Sequence, residues 1–589
     1  MRVVSWTPPR WLSVLIGLAA IGMGAALTLK PFSSLDALTL FIGASLILAG
    51  LGEFLTDESD SEPLISKTVG AILTITGLAA IVLPDQTIRS VAIVVGAGLV
   101  ASGLSRLWSV LRGQTNERYV TLVSGLAAVA FGILSLAWPD ATILVMAVLV
   151  GPIAVIFGIG QVLRALGFRQ HSGPASNPPV ASRSSGVKRG FRLVRVTASL
   201  IIALAMIGVS TWIHNDTPTV SAFYNAPDDL PDTPGQLIRS DDFNRGLPEN
   251  SRAKRMLFST TALDGSIGVA SAIVVIPTTE QPAPWPVLLW EHGTTGIARH
   301  CAPSILADPL GSGAMPAQQQ AIDNGWVIVV PDYIGLGSEG PHPYLIGVPT
   351  AQSSLDAVRA ARQLQGLSLS NDTVVWGHSQ GGGAALWVGI EAATYAPDVP
   401  LLGIAAMAPA TDLAPLAPSM LDSPAGALFG AYIIDAYSKV YPDVKFDDYV
   451  RPSAVALLES VADRCLSDPA MLVSLGVILS GASESVFIQQ PSNGPLATRL
   501  AENVPGTPTG LPTFLGQGMS DPLILPEVQA QFVSGLCSAG QIIEYHTYAG
   551  RDHVGVVADD SPMIPDLLAW TKARFAGDPA ATECSTTEK

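Results

Sequence analysis

The sequence predicts a multi-domain chain: an all-helical N-terminal half of transmembrane hairpin repeats, followed by an α/β half with a mainly parallel sheet and an inserted helical cap. Three observations predict it. Up to His214 the apolar residues form long stretches with short polar breaks, whereas beyond it short apolar runs alternate with amphipathic segments and Gly/Pro/Asp-rich loops. Charge divides at the same place: residues 1–213 carry 15 Lys/Arg and 9 Asp/Glu, a net of +6, while residues 214–589 carry 17 and 39, a net of −22. A period of 53 to 55 residues runs through the first half only, marked by Pro31, Pro84 and Pro139 and by Gly50, Gly103 and Gly158.

Crossing a bilayer takes about 20 mainly apolar residues. Seven segments meet or approach that length: Trp11–Leu29, Leu35–Leu55, Thr68–Leu83, Ile88–Trp108, Val120–Trp138, Thr142–Leu166 and Leu193–Ile213. The first six form three copies of one hairpin, a six-helix membrane domain over residues 10–170. Small residues let helix backbones approach, and proline at a turn forfeits no helical hydrogen bond. With the N-terminus cytoplasmic, thirteen Lys/Arg fall on the inner side against Lys30 and Arg89 outside. Residues 171–190 then form a basic cytoplasmic linker, residues 191–214 a seventh span, and residues 215–589 an extracytoplasmic domain of a multi-pass cell-membrane protein. The repeat, with its aligned Gly50-Leu51-Gly52-Glu53, Gly103-Leu104-Ser105-Arg106 and Gly158-Ile159-Gly160-Gln161, resembles the HdeD/DUF308-like family of small bacterial membrane proteins.

In the acidic half, strands are expected at Val269–Ile276, Val287–Trp290, Trp326–Val330, Thr373–Trp376, Leu402–Met407, Pro512–Leu515 and Gln541–Tyr545. Helical patterns over Ser353–Leu364, Pro526–Leu536 and Pro562–Phe575 alternate with them, which predicts a parallel sheet covered on both faces. A net charge of −22 with no basic stripe excludes a nucleic-acid partner and favours an uncharged substrate.

The chemistry is carried by Gly377-His378-Ser379-Gln380-Gly381, which follows the β-branched run Thr373-Val374-Val375 and precedes a helix-forming stretch. This is G-x-S-x-G in strand, turn, helix context, the α/β-hydrolase arrangement that exposes a serine on a sharp turn. Gly377, His378 and Gly381 make the elbow, and Ser379 is the candidate nucleophile. A serine hydroxyl needs a base, and the base an orienting acid, in the chain order Ser, acid, His. Asp521, in the loop after Pro512–Leu515, is the candidate acid; His553, in the loop after Gln541–Tyr545, is the candidate base, with His546 as competitor. Oxyanion donors are expected at Gln380 and in the small-residue loop holding Thr294 and Thr295. Asp332, in Pro331-Asp332-Tyr333-Ile334-Gly335, reads as turn chemistry. Residues 409–510 are the expected cap. Cys301, Cys465, Cys537 and Cys584 lack a metal-ligand spacing and read as disulfides, with pairing open; neither metal nor other cofactor is called for.

These motifs, together with Phe223-Tyr224, Pro234-Gly235 and Trp290-Glu291-His292-Gly293-Thr294, resemble the secretory lipase family of fungi and actinobacteria over residues 220–577. The resemblance implies a serine esterase or lipase with an apolar ester or lipid substrate; the attached helical half departs from the family's pattern and suggests an enzyme beside a lipid bilayer, in an actinobacterial cell envelope. Acyl transfer with the same triad is the alternative chemistry, and a non-catalytic membrane scaffold or stress protein the alternative class. Nothing in the sequence names a protein partner.

Overall fold

The computed structural model describes residues 10–29, 84–113, 117–137 and 184–589 except 280–281, 417–423 and 481–485, with scattered positions between 47 and 163. Two compact units result: Met1–Asp216 with Val450–Ser460 and Leu472–Val486, and Thr217–Tyr449 with Val461–Met471 and Phe487–Lys589. The expected cap over 409–510 is thus divided between the two.

In the first unit the principal helices are α1 (Arg10–Leu29), α2 (Pro84–Leu111), α3 (Arg118–Ala137) and α4 (Ser184–Asp216). Helices α2 and α3 pack closely because glycines remove the side chains between them. A Cβ on Gly103 would stand 2.7 Å from the Gly125 carbonyl oxygen, and one on Gly132 would stand 2.8 Å from that of Gly96. Repeat glycine Gly158 likewise abuts the Gly17 carbonyl.

The seven-span topology requires correction. Among the described residues one helix, Arg118–Ala137, is long and apolar enough to cross a membrane, with a mean hydropathy of 2.2. The apolar part of α4, Thr197–Trp212, is shorter than a bilayer crossing needs. Pro84, expected at a hairpin turn, instead opens the 28-residue α2, where a proline N–H is not missed. Residues 112–113 turn after α2, and among the described residues a single long apolar helix does not make the expected array of transmembrane hairpins. Leu35–Leu55 and Thr142–Leu166 lie largely, and Thr68–Leu83 by half, outside the described residues. The multi-pass placement, and the extracytoplasmic assignment obtained by counting crossings, fall with the seven spans. Residues 171–183 of the expected linker also lie outside the described residues, while 184–190 are the first turns of α4.

The second unit is an α/β-hydrolase fold with helical insertions. Its strands are β1 (Leu237–Phe243), β2 (Ser251–Thr261), β3 (Ile267–Pro277), β4 (Trp285–Glu291), β5 (Val327–Pro331), β6 (Leu369–His378), β7 (Leu401–Met407), β8 (Thr513–Gly518), β9 (Ile543–Tyr548) and β10 (Ser585–Glu588). They form one sheet in the order β1-β2-β3-β5-β4-β6-β7-β8-β9-β10. Strands β1, β2, β3 and β5 pair antiparallel; from β5 to β10 every pairing is parallel.

Alternation along the central strands builds two cores. Leu288, Trp290, Val374 and Trp376 pack with Trp326, Phe514 and Trp570 on one face, together with residues of α5 (Gln318–Asp323) and of the C-terminal helix Met563–Ala576. Val287, Leu289 and Val375 pack on the other against α6 (Gly347–Ala361) and α7 (Gln380–Tyr395). Each fully buried large side chain contributes about 1.5–3 kcal/mol relative to exposure. Trp376 also satisfies its indole, donating Nε1–H to Thr571 Oγ1 at 2.9 Å. Parallel register then aligns the strand ends: Glu291 stands opposite Gly377, and His378 opposite Met407. The loops after β4, β6, β8 and β9 therefore leave from one edge of the sheet, where open α/β sheets place their ligands.

Candidate active site

Ser379 sits between the end of β6 and the start of α7 with φ 57° and ψ −119°, outside the regions an L-residue prefers. Its neighbours hold it there. A Cβ on Gly377 would strike the Gly381 carbonyl, and one on Gly381 would strike the Glu291 carbonyl, so only glycine fits either position. Ser379 N–H donates to Met407 O at 2.9 Å, and Ala410 N–H donates to Ser379 O at 2.9 Å, fixing the turn to β7.

Three side chains converge on this turn from separate loops. His553 Nε2 lies 2.8 Å from Ser379 Oγ, and His553 Nδ1 lies 2.7 Å from Asp521 Oδ2. Asp521 is buried, and its other oxygen accepts the backbone N–H groups of Leu523 and Ile524 at 2.8 and 2.9 Å. Gln517 donates to Asp521 Oδ2 at 3.3 Å from the end of β8. His378 donates Nε2–H to the His553 carbonyl at 2.9 Å, tying the elbow to the loop that carries His553. Burial pushes the His378 imidazole down to about 3, so it stays neutral. His546 faces Asp566, away from this group, with Nδ1 3.5 Å from its Oδ2.

Gln380 is the first residue of α7, so its N–H is among those with no intrahelical acceptor. The loop after β4 runs alongside: a Cβ on Gly293 would contact His378 at 3.4 Å. Thr294 Oγ1 is 2.9 Å from Tyr344 Oη. Thr295 accepts Leu466 N–H at 2.8 Å through its carbonyl, while its buried hydroxyl has no hydrogen-bond partner among the described residues. Cys301 is bonded to Cys465, which fastens this loop to the 461–471 segment, and Gly296 packs against both residues. The second disulfide, Cys537–Cys584, anchors β10. His300 lies close to Cys301 and Cys465, but their mutual bond leaves no thiolate to ligate a metal.

Residues 316–583 match the family described as Secretory lipase, and residues 15–59, 68–134 and 123–182 match a Short repeat of unknown function (DUF308). The chain carries a secretory-lipase domain fused to a DUF308-like repeat region. A probable inactive lipase of Mycobacterium tuberculosis is 26% identical over 370 residues, 59% of this chain and 79% of the relative. A secreted triacylglycerol lipase of Malassezia globosa is 24% identical over 435 residues, 67% of this chain and 88% of the relative. Among solved structures, the closed state of Candida antarctica lipase A superposes with a TM-score of 0.51 at 19% identity, over 62% of this chain and 89% of that one, a likeness of fold.

Several polar residues of the lipase domain have surroundings that their place in the sequence does not reveal. Glu291, fully buried at the end of β4, accepts Ser354 Oγ–H at 2.8 Å, and burial pushes its carboxyl up to about 8. Asp332 accepts from Ser271 Oγ and Ser304 Oγ, each at 2.5 Å, and from Ser304 N–H at 2.8 Å, so its surroundings are those of a structural hub. His342 and Tyr344 touch Gln380 and Thr294. Only Pro341 and Pro343, which bracket His342, hinted at a fixed loop there.

Proposed function

We propose that the lipase domain is a serine-dependent carboxylic ester hydrolase that turns over esters of apolar acids through an acyl-enzyme. The observation that carries this reading is the hydrogen-bonded line Ser379–His553–Asp521, with distances of 2.8 and 2.7 Å, on an elbow that only glycine neighbours permit. In this mechanism Ser379 Oγ attacks the ester carbon while His553 Nε2 takes its proton. Asp521 keeps Nδ1–H oriented and stabilises the imidazolium. The oxyanion is received by the Gln380 N–H and by an N–H of the Thr294–Thr295 loop. His553 returns the proton to the leaving alcohol; water then attacks the acyl-serine by the same route and releases the acid.

Apolar substrates are favoured by two features. Ile346, Ala384, Trp387 and Leu413 line a small cavity that also reaches Gln380, one residue from the nucleophile. The relatives named as triacylglycerol lipases act on esters of this chemistry.

One relative is named as a probable inactive lipase, so the decisive measurement is turnover itself. A fluorophosphonate should label the intact chain, and a series of esters graded in acyl length should be hydrolysed. Ser379→Ala should abolish labelling and lower kcat by at least ~10³-fold without loss of folding. An unlabelled wild-type chain that leaves every ester intact would sink the reading.

A further inference from the structure

We infer that His342 and Tyr344, two residues apart on one loop, are positioning residues that hold both sides of the oxyanion site. This rests on the ester-hydrolase reading above. On one side, His342 Nε2 lies 3.0 Å from Gln380 Nε2. Its other ring nitrogen, Nδ1, lies 3.2 Å from the Ile334 carbonyl oxygen, which can only accept. The proton therefore sits on Nδ1, Nε2 presents a lone pair, and the Gln380 amide nitrogen is the donor. Gln380 opens α7, so anchoring its side chain restrains the peptide whose N–H faces the developing charge. On the other side, Tyr344 Oη lies 2.9 Å from Thr294 Oγ1, in the loop that supplies the second donor.

The loop is stiff enough for this task. Pro341 and Pro343 fix φ on either side of His342, and a Cβ on Gly335 would collide with the His342 backbone. The His342 ring lies 5° from parallel to that of Tyr333, and the Tyr344 ring meets Tyr432 edge-on, with centroids 5.8 Å apart. His342 and Tyr344 are 2% and 3% exposed. Burial holds the His342 imidazole down to about 3, so the acceptor persists at neutral pH. A histidine serving only the core would need some acceptor and some donor. Here two alternate residues of one loop reach the two separate loops that a tetrahedral intermediate must touch at once, and oxyanion donors act through placement.

The test uses the full chain and a soluble short-chain ester. Tyr344→Phe removes one hydroxyl, His342→Leu removes the acceptor, and His342→Gln keeps one. Tyr344→Phe and His342→Leu should each lower kcat by about 10-fold while KM moves by less than about two-fold, the signature of an interaction used in the transition state. His342→Gln should recover most of the loss. Thr294→Val should match Tyr344→Phe, and the double variant should be no slower than either single one, because both remove the same link. The proposal is overturned if Tyr344→Phe and His342→Leu keep wild-type kcat, if the losses lie in KM alone, or if the two effects multiply in the double variant. Wild-type turnover separates the cases: an active wild type with indifferent variants removes the positioning role alone, whereas an inactive wild type removes the hydrolase reading and this one with it.

Discussion

Glycines bring backbones together in both parts of this chain, with different consequences. In the helical region, Gly103 lies against Gly125 and Gly132 against Gly96, and the gain is helix contact repeated along an axis. In the lipase domain, Gly377 and Gly381 make one such approach at one place, and it holds Ser379 at φ 57° within 2.8 Å of His553. The same missing Cβ serves adhesion in the first region and the convergence of three side chains in the second. Adhesion spread over many contacts tolerates local change, whereas a geometry shared by three loops does not.

That contrast breaks most sharply at Asp521. Asp521→Asn should leave the elbow and the sheet in place but remove the charge that orients His553 Nδ1–H, lowering kcat by about 10⁴-fold. Steady-state kinetics with circular dichroism would check it, and a loss below about 10-fold would show that the three side chains do not act as a unit.

Legibility in the sequence follows the same division. Strands buried on both faces, such as β4 to β8, read as continuous apolar runs, and every strand expected from such a run lies on one. Strands β1 and β2 went unread because Leu237-Ile238-Arg239-Ser240-Asp241-Asp242-Phe243 is largely solvated and Ser251-Arg252-Ala253-Lys254-Arg255 is polar. The four-residue β10 is held by β9 and the Cys537–Cys584 bond, neither of which a pattern of Ser, Thr and Glu announces. Ser379, Asp521 and His553 were legible as candidates because a motif and two post-strand loops name them in order, whereas His342 and Tyr344 act through contacts that no spacing encodes. In the helical region, apolarity recorded avoidance of water and nothing further. It did not distinguish lipid from protein neighbours, nor show that Pro84 begins a helix instead of turning one.

Glu291 offers a sharper probe because it belongs to the sheet and titrates there. Its carboxyl is neutral in the folded chain up to about pH 8, while in the unfolded chain it ionises near its ordinary value of 4.5. Between those limits the folded state binds the extra proton, so this group's stabilising contribution is complete below pH 4.5 and is lost as pH rises towards 8. Glu291→Gln removes that dependence. The stability of the variant relative to wild type should rise by about 1.4 kcal/mol per pH unit across the window, measured by denaturant unfolding of the lipase domain. A pH-independent difference would mean that Glu291 is ionised where it stands.

The smallest expected effect, that at Gly103, separates the two regions most cleanly when set beside the same change at Gly381. Adding one methyl group to Gly381 and to Gly103 places a Cβ against a carbonyl oxygen in both cases, that of Glu291 and that of Gly125. At Gly381 the neighbouring carbonyl belongs to the end of a buried strand that cannot retreat. Gly381→Ala should therefore cost about 3 kcal/mol and abolish labelling of Ser379. At Gly103 the neighbour is another helix, whose backbone the new Cβ would meet at 2.7 Å, so the two helices must separate; Gly103→Ala should cost about 2 kcal/mol and leave ester turnover at the wild-type rate. Equal losses of turnover in the two variants would show that helix packing and the reactive serine are coupled, and that adhesion and reactivity are not separate uses of glycine in this chain.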